Sequence, residues 1–262
     1  MKFNKILTSK LLSSIIVLSF IVITISSILY LYETRDKIQK NVRKIFKSTI
    51  EDNYKYDANE NDIKWAKKIL DGGYILHFRH AERDKWIDVQ MYDALESDLH
   101  SNGINGSRYA ENDYFAEAVC LNKRGKIQAK AMGEHLQKIG LPISYVVSSV
   151  SCRARQTANL AFGGYNSMNR LLVHEGPYNE IAEDRIKKIR SFYLSLPYNK
   201  DGNVIVSSHN GVIRKEMFDV NPLEDLSLEE GGFYVISNKD GKLIFEYEFH
   251  NFNAFNKVFY NR

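Results

Sequence analysis

The chain has 262 residues, of which 44% are hydrophobic and 26% charged, as in an ordinary globular protein large enough for one sizeable core. Its net charge of +4 comes mostly from three lysines before residue 33, where no acidic residue occurs, so the rest of the chain is nearly neutral. This balance excludes the marked basic excess that is typical of nucleic-acid-binding domains, so we expect no nucleic-acid partner.

The first predicted element is an apolar segment at residues 11–32, which contains no charged side chain and follows a basic flank at residues 1–10. A helix of this length can cross the hydrocarbon core of a bilayer. We expect a single uncleaved transmembrane anchor, with a signal peptide cleaved near Ser26-Ser27 as the alternative. Basic residues flank both ends of the segment, so its orientation stays open. Large domains translocate largely regardless of charge, and we expect the catalytic domain on the exported, periplasmic or extracytoplasmic side.

Residues 33–61 are predicted to form a stalk and linker. Apolar residues recur at helical spacing over residues 33–50, with basic residues between them. That pattern is typical either of a simple stalk or of an amphipathic segment attracted to anionic lipid. Residues 51–61 are polar and indicate a linker, so the folded domain is predicted to span residues 62–262.

Within this domain, predicted helices and strands alternate. A helix ends at Gly72-Gly73, and residues 84–120 form a long irregular region. The remaining predicted elements are strand 74–79, helix 125–139, strand 145–149, helix 153–162, strand 171–173, a helix after Asn179, strand 204–207 and a hairpin of strands 233–237 and 243–249. The alternation predicts an α/β fold, a three-layer sandwich with a mostly parallel central sheet covered on both faces.

Cationic and protonatable residues follow three of the predicted parallel strands. Arg79 and His80 follow the first strand, Arg153 follows the second, and His209 follows the fourth. Because the carboxyl ends of parallel strands meet at one edge of a sheet, these side chains would converge in one crevice. Guanidinium groups match the oxygens of phosphate, and imidazole carries a reactive nitrogen at neutral pH. Burying these cations together without an anion would be costly, so the pattern predicts a phosphate site.

Four blocks between residue 74 and about residue 215 carry a family resemblance. They are Arg79-His80-Ala81-Glu82, Leu121 to Gly133, Ser148 to Ala158, and Ser208-His209-Asn210-Gly211. In order and spacing they resemble the histidine phosphatase superfamily, which includes the phosphoglycerate mutases. The resemblance implies a phosphoglycerate-mutase-like fold and a phosphatase that needs no metal or other cofactor. Ala81 departs from the family's usual glycine, and because alanine is the smallest replacement we expect activity to survive.

The resemblance also implies catalytic roles. His80 would attack phosphorus to give a phosphohistidine, which water would hydrolyse, while Arg79, Arg153 and His209 would hold the phosphoryl oxygens. Arg83 would either add a phosphate or substrate contact or form an ion pair with a neighbouring acid, Glu82 or Asp84.

The family's general acid, a Glu or Asp that protonates the leaving oxygen, has three candidates here. We favour Glu180, because Asn179-Glu180-Ile181 resembles a pattern in the bacterial lipopolysaccharide core heptose-phosphate phosphatases; Glu175 and Asp84 are the alternatives. The string from Arg79 to Arg83 resembles the same proteins. The implied substrates are phosphorylated sugars, either small molecules or glycans.

We therefore expect a membrane-tethered phosphomonoester phosphatase, a phosphoric monoester hydrolase. Two alternatives stay open: a catalytically silent module that binds phosphosugar or phospholipid, and a phosphomutase. The chain lacks an HExxH sequence and a CxxC pair, so we expect no metal site.

Three other features carry open interpretations. We expect His77 to be packed in the core or to support the site without touching substrate. Cys120 and Cys152 are interpreted as two small buried side chains, with a disulfide between them as the alternative. The aromatic-rich region 84–120 is either a lid over the site or an insertion packed on the domain.

Overall fold

The computed structural model describes residues 24, 34, 58–84, 120–173, 182–220 and 226–260. Met1–Tyr56 and Asp57–Arg262 form two separate compact units. In the first unit Thr24 and Thr34 are helical. Apart from Thr24, the predicted anchor lies outside the described residues, as does nearly all of the predicted stalk and linker. Among the described residues, no helix has the length and hydropathy needed to span a bilayer.

The described part of the second unit contains helices on both sides of a six-stranded sheet. The α-helices are α1 (Glu60–Lys68), α2 (Lys123–Lys138), α3 (Cys152–Phe162), α4 (Ala182–Ser195) and α5 (Phe252–Tyr260). The strands are β1 (Ile75–Arg79), β2 (Ile143–Ser149), β3 (Ser167–Asn169), β4 (Asn203–Ser208), β5 (Phe233–Lys239) and β6 (Lys242–Phe249). Short 3₁₀ turns lie at Ile69–Asp71, Arg170–Leu172 and Lys215–Met217.

Side-chain caps fix the starts of two helices. At α1, Asn59 accepts a hydrogen bond from the Asp62 amide at 2.9 Å, and Asp62 accepts one from the Asn59 amide at 2.9 Å. At α2, Asn122 accepts a hydrogen bond from the Gly125 amide at 2.7 Å. Each cap satisfies backbone donors that the first helical turn leaves unpaired. The second cap matters for function, because α2 begins beside the loop that follows β1.

The sheet is mixed, with strand order β3-β2-β4-β1-β5-β6. The four strands from β3 to β1 run parallel, and β5 and β6 pair antiparallel with β1 and with each other. The predicted α/β class is confirmed, whereas the sheet is less parallel than the alternation of elements suggested. The hairpin of β5 and β6 supplies the antiparallel part and turns at Asp240 and Gly241, both with positive φ.

Two hydrophobic clusters lie on opposite faces of the sheet. On one face α1, α2, α3 and α5 pack against Leu76, Phe78 and Phe233 of the central strands. On the other face α4 packs against Val147 and Val206. The result is three layers, with the carboxyl ends of the parallel strands at one edge of the sheet.

The third predicted strand is placed wrongly by the sequence pattern. Residues 170–172 form a 3₁₀ turn, and β3 is the more polar segment Ser167–Asn169, which pairs with β2 from Val147 to Ser149. Leu172 and Val173 are buried because they cover the core, not because they belong to the sheet. A short apolar run indicates burial but does not by itself indicate a strand.

The expectation for the two cysteines is also wrong. Cys120 and Cys152 are both buried, as expected, but they form a disulfide with a Cα–Cα distance of 4.9 Å across a sequence separation of 32 residues. Since Cys152 is the first residue of α3, this bond ties the end of the region 84–120 to the start of that helix.

Candidate active site

Adjacent parallel strands place two histidines next to each other. Arg79 at the end of β1 pairs in register with Ser208 at the end of β4, and the His80 amide donates to the Ser208 carbonyl at 2.9 Å. The residue that follows each of these two strands is a histidine, His80 after β1 and His209 after β4. The ring centroids of His80 and His209 are 5.2 Å apart, with planes inclined by 66°. Sheet topology alone therefore brings together two side chains that are far apart in sequence.

The contacts of His80 fix its tautomer. Its Nδ1 lies 2.7 Å from the carbonyl oxygen of Ala81, and its Nε2 lies 3.2 Å from Nε of Arg153. A carbonyl only accepts and a guanidinium only donates, so Nδ1 carries the hydrogen and Nε2 presents its lone pair. The side chain that the sequence predicts as the nucleophile is thus oriented with a basic nitrogen beside a cation.

The electrostatic surroundings keep His80 neutral. Burial is the main cause that lowers its pKa well below the usual 6.5, and the charges of Arg153, Arg79 and Arg83 lower it further. The hydrogen bond to Ala81 acts in the opposite direction and is outweighed. A neutral imidazole is the form that can attack phosphorus.

Arg153 enters the site from the first turn of α3 and is almost fully buried, at 2% exposure. The same turn is tied to the loop after β1, because Thr157 donates to the Arg153 carbonyl at 2.8 Å and accepts from the Ala81 amide at 3.0 Å. The amino end of a helix favours anions, so the position adds to the charge of the guanidinium.

His209 is held by two buried hydroxyl groups. Its Nε2 lies 3.0 Å from Oγ of Ser151 and 3.1 Å from Oγ of Ser149. Both serines have 0% exposure. The sequence placed them in the block from Ser148 to Ala158 but did not predict that they contact His209.

Arg79, the last residue of β1, is held by the loop that contains Leu228 and Glu230. Its guanidinium donates to the Leu228 carbonyl through Nη1 and to Oε1 of Glu230 through Nη2, the latter at 3.0 Å. The Gly231 amide lies 3.2 Å from the carbonyls of both Arg79 and His80, so the loop that carries Glu230 packs directly on the site. Glu230 is a charged neighbour of the site that sequence reasoning missed.

The acidic residues after β1 have partners among the described residues. Glu82 pairs with Arg124 and accepts from Asn122 at 3.2 Å, and Asp84 accepts from Asn122 at 2.9 Å. Arg83 donates to the main-chain oxygen of Asp84 at 2.9 Å, and its charge acts on His80. Asp84 is therefore anchored to the start of α2.

The other predicted acids, Glu175 and Glu180, lie outside the described residues, as do residues 85–119. Over the described ranges, no three residues among His, Cys, Asp and Glu are grouped so that they could hold a metal ion.

Comparisons with known proteins bear on the family resemblance. Residues 75–176 match the family described as "Histidine phosphatase superfamily (branch 1)". The resemblance found in the sequence is thus confirmed over the stretch from β1 to the segment after β3, which contains His80 and Arg153. No curated protein matches the sequence significantly.

The solved structures that match this chain are distant in sequence. A putative alpha-ribazole-5'-P phosphatase from Escherichia coli is 16% identical, with 69% of this chain and 98% of that chain covered and a TM-score of 0.45. A phosphoserine phosphatase from Entamoeba histolytica, in complex with 3-phosphoglyceric acid, is 14% identical over 67% of this chain and 95% of that chain, with a TM-score of 0.42. The protein histidine phosphatase SixA, complexed with tungstate, is 14% identical over 67% and 95%, with a TM-score of 0.41.

Proposed function

We propose that this protein is a phosphomonoester phosphatase that works through a phosphohistidine at His80. The observation that carries the proposal is the orientation of His80, whose Nε2 lone pair lies 3.2 Å from the Arg153 guanidinium in a buried site shared with His209. A phosphoryl group placed there would bring its phosphorus to the nitrogen and its oxygens to the donors. This arrangement suits in-line transfer, in which positioning and charge stabilisation supply most of the catalysis.

The proposed reaction has two steps. His80 Nε2 forms a bond to phosphorus while the ester P–O bond breaks, and the leaving oxygen takes a proton from a carboxylic acid. Water then attacks the phosphohistidine, the P–N bond breaks and inorganic phosphate leaves. Arg153 and His209 hold the equatorial oxygens in both steps. Glu180 is the proposed acid, with Glu175 and Asp84 as the other candidates.

Arg79 would take part only after exchanging a partner. In the described structure its Nη2 is paired with Glu230 at 3.0 Å. A bound phosphate, with charge near −2, would compete with the carboxylate for the same guanidinium. We infer that Arg79 contributes to phosphate binding while it stays anchored through Leu228, and that Arg83 adds positive charge near His80.

The substrate and location are proposed from the sequence alone. The resemblance to heptose-phosphate phosphatases favours phosphorylated sugars as substrates, either as small molecules or within glycans. The apolar segment at residues 11–32 would place such an enzyme at a membrane, with the catalytic domain on the exported side.

A trapping experiment tests the function. Full-length protein is mixed with a phosphate-labelled phosphomonoester and quenched in alkali, in which phosphohistidine survives and phosphoserine does not. We expect label on the wild type, none on His80→Ala, and normal labelling of His250→Ala, which removes an exposed histidine. Absence of label from the wild type, or equal label on His80→Ala, would refute the proposal.

The products of the same reaction separate the alternatives. Release of inorganic phosphate supports a phosphatase, an isomerised ester indicates a phosphomutase, and binding without turnover indicates a silent module. A screen over sugar, nucleotide, lipid and amino-acid phosphoesters, with His80→Ala as the blank, identifies the substrate class.

A further inference from the structure

A buried hydrogen-bonded chain lies behind the proposed site. His77 on β1 has 0% exposure, and both of its ring nitrogens are engaged. Nδ1 lies 2.6 Å from the hydroxyl oxygen of Tyr193 on α4, and Nε2 lies 3.0 Å from the main-chain carbonyl oxygen of His209. These hydrogen bonds therefore connect α4, on one face of the sheet, to the main chain of His209 in the proposed site.

The direction of this chain follows from its last member. A carbonyl oxygen only accepts, so Nε2 of His77 carries the hydrogen. In a neutral imidazole Nδ1 then accepts, and the Tyr193 hydroxyl must donate to it. Burial lowers the pKa of His77 to about 4 and raises the pKa of Tyr193 well above its usual value, so at neutral pH both groups hold these roles.

The contact meets a need of the backbone at this point. β4 ends at Ser208, whose carbonyl pairs with the amide of His80. The carbonyl of His209 lies one residue beyond the last paired position of the strand, so the ladder between β1 and β4 does not serve it. A buried carbonyl without a donor destabilises the fold, and the side chain of His77 supplies a donor to this one.

We propose that His77 and Tyr193 are positioning residues that fix the main chain of His209 and so hold its imidazole against His80. This inference rests on the proposed function, because it assigns His209 a role in holding phosphate. Ser149 and Ser151 orient the ring of His209 from its Nε2 side. The chain through His77 fixes the backbone from which that ring projects, and neither His77 nor Tyr193 touches the substrate.

The structure provides a matched pair of tyrosines for the test. Tyr193 and Tyr234 are both buried, and their rings lie 6.2 Å and 5.8 Å from that of His77. Only Tyr193 donates to His77, whereas the hydroxyl of Tyr234 has no hydrogen-bond partner among the described residues. Replacing either tyrosine with phenylalanine removes one buried hydroxyl and keeps the ring.

The expected results separate positioning from packing. In the full-length protein, Tyr193→Phe should lower kcat about five- to tenfold with little change in KM, as expected for the loss of one hydrogen bond that orients a catalytic group. Tyr234→Phe should stay within about twofold of the wild type. His77→Gln, which can both donate and accept, should keep more activity than His77→Leu. Equal losses in both tyrosine variants, or no advantage of Gln over Leu, would contradict the proposal.

A spectroscopic readout keeps this inference separate from the proposed function. In protein labelled with carbon-13 histidine, the ring signals of His209, assigned by their loss in His209→Gln, should shift in Tyr193→Phe and not in Tyr234→Phe. Unmoved His209 signals in folded Tyr193→Phe would overturn the inference even if the enzyme is active. Failure of the wild type to hydrolyse any phosphomonoester would instead overturn the proposed function and leave this comparison decisive.

Discussion

At His80, burial and three neighbouring guanidinium groups act in the same direction on one imidazole. Each disfavours the protonated ring, and burial is the largest cause. The same cations that would hold a phosphate therefore keep the nucleophilic nitrogen free of a proton. This coupling means that the nucleophile and its anion site cannot be altered independently.

The pH dependence of phosphoenzyme formation should show this coupling. Because the pKa of His80 is lowered from 6.5, the rate of phosphoenzyme formation should stay constant as the pH falls through 6.5. It should decrease only at a pH well below that value. Arg83→Gln removes the smallest of the three charge effects, so the pH at which the rate falls should move slightly upward. Rapid-quench measurement of the phosphoenzyme across pH checks both, and a fall near pH 6.5 in the wild type would contradict the expectation.

Glu230 should weaken anion binding by holding Arg79. Glu230→Gln removes the negative charge and keeps an acceptor for Nη2, so inorganic phosphate should inhibit about three- to fivefold more strongly, in line with the strength of a partly buried charge contact. Glu230→Ala also removes the acceptor of Nη2 and leaves the Leu228 contact of Nη1, so the guanidinium is less well positioned and the gain should be smaller than for Gln. Product-inhibition constants measure the effect, and weaker inhibition of Glu230→Gln would show that the carboxylate supports phosphate binding.

The difference between predicted and unpredicted site residues has a physical basis. His80, Arg153 and His209 could be predicted, because His80 and His209 directly follow strands, Arg153 lies in the first turn of the helix after β2, and the carboxyl ends of parallel strands share one edge. Glu230 reaches Arg79 across 151 residues from an irregular loop, and the contact of Ser151 with His209 spans 58 residues. Such contacts depend on side-chain directions within loops, which neither periodicity nor motif spacing determines.

At the scale of elements, the start of α2 locks the loop that follows β1. Gly125 lies against this loop so closely that a Cβ there would meet the carbonyl oxygen of Glu82 at 1.9 Å and its carbonyl carbon at 2.8 Å. The Asn122 amide also donates to the Glu82 carbonyl at 3.3 Å. The loop that carries His80 is thus positioned by a helix that supplies none of the proposed phosphate-binding residues.

Gly125→Ala should therefore damage the site from a distance. The added methyl group would overlap backbone, so either α2 or the loop at residues 81–84 must move, and we expect at least a tenfold loss of kcat/KM. Lys126→Ala, at the exposed next position of the same helix, should behave like the wild type. Steady-state kinetics and circular dichroism of both variants check this, and wild-type activity in Gly125→Ala would show that the loop tolerates displacement.

The edge of the sheet marks the limit of element prediction. The strands β1, β2 and β4 each contain a short buried apolar run, and the predicted bounds lie within two residues of the observed ones. β3 has three residues and, among the described strands, pairs only with β2 at the sheet edge, so neither its length nor its composition produces a signal. The apolar residues next to it are those that reach the core, which explains why the pattern placed the strand there.

At the scale of the whole molecule, the buried ring of His77 should make the free energy of unfolding depend on pH. Its pKa is lowered from 6.5 to about 4 in the folded protein, so between these values the unfolded chain binds a proton that the native state does not. Its contribution to stability is therefore complete above pH 6.5 and is lost as the pH falls towards 4, by about 3 kcal/mol in total. His77→Gln should be less stable at pH 7 but should lose stability less steeply in acid. Urea unfolding at several pH values tests this, and parallel slopes for wild type and His77→Gln would contradict it.

We expect the disulfide to contribute substantially to the free energy of unfolding. It joins Cys120 to Cys152 across 32 residues. Closing a loop of that size lowers the entropy of the unfolded chain, which raises the free energy of unfolding by about 3–4 kcal/mol. Because the chain has two cysteines, a thiol reductant and the double variant Cys120→Ser/Cys152→Ser should lower the free energy of unfolding by similar amounts, and the reductant should not affect the double variant. Arg153 directly follows Cys152 at the start of α3, so a loss of phosphatase activity should accompany the loss of stability.

Two free thiols in native protein purified without reductant would refute the bond. A bond found intact would also fit the proposed exported location, since disulfides persist in oxidising compartments.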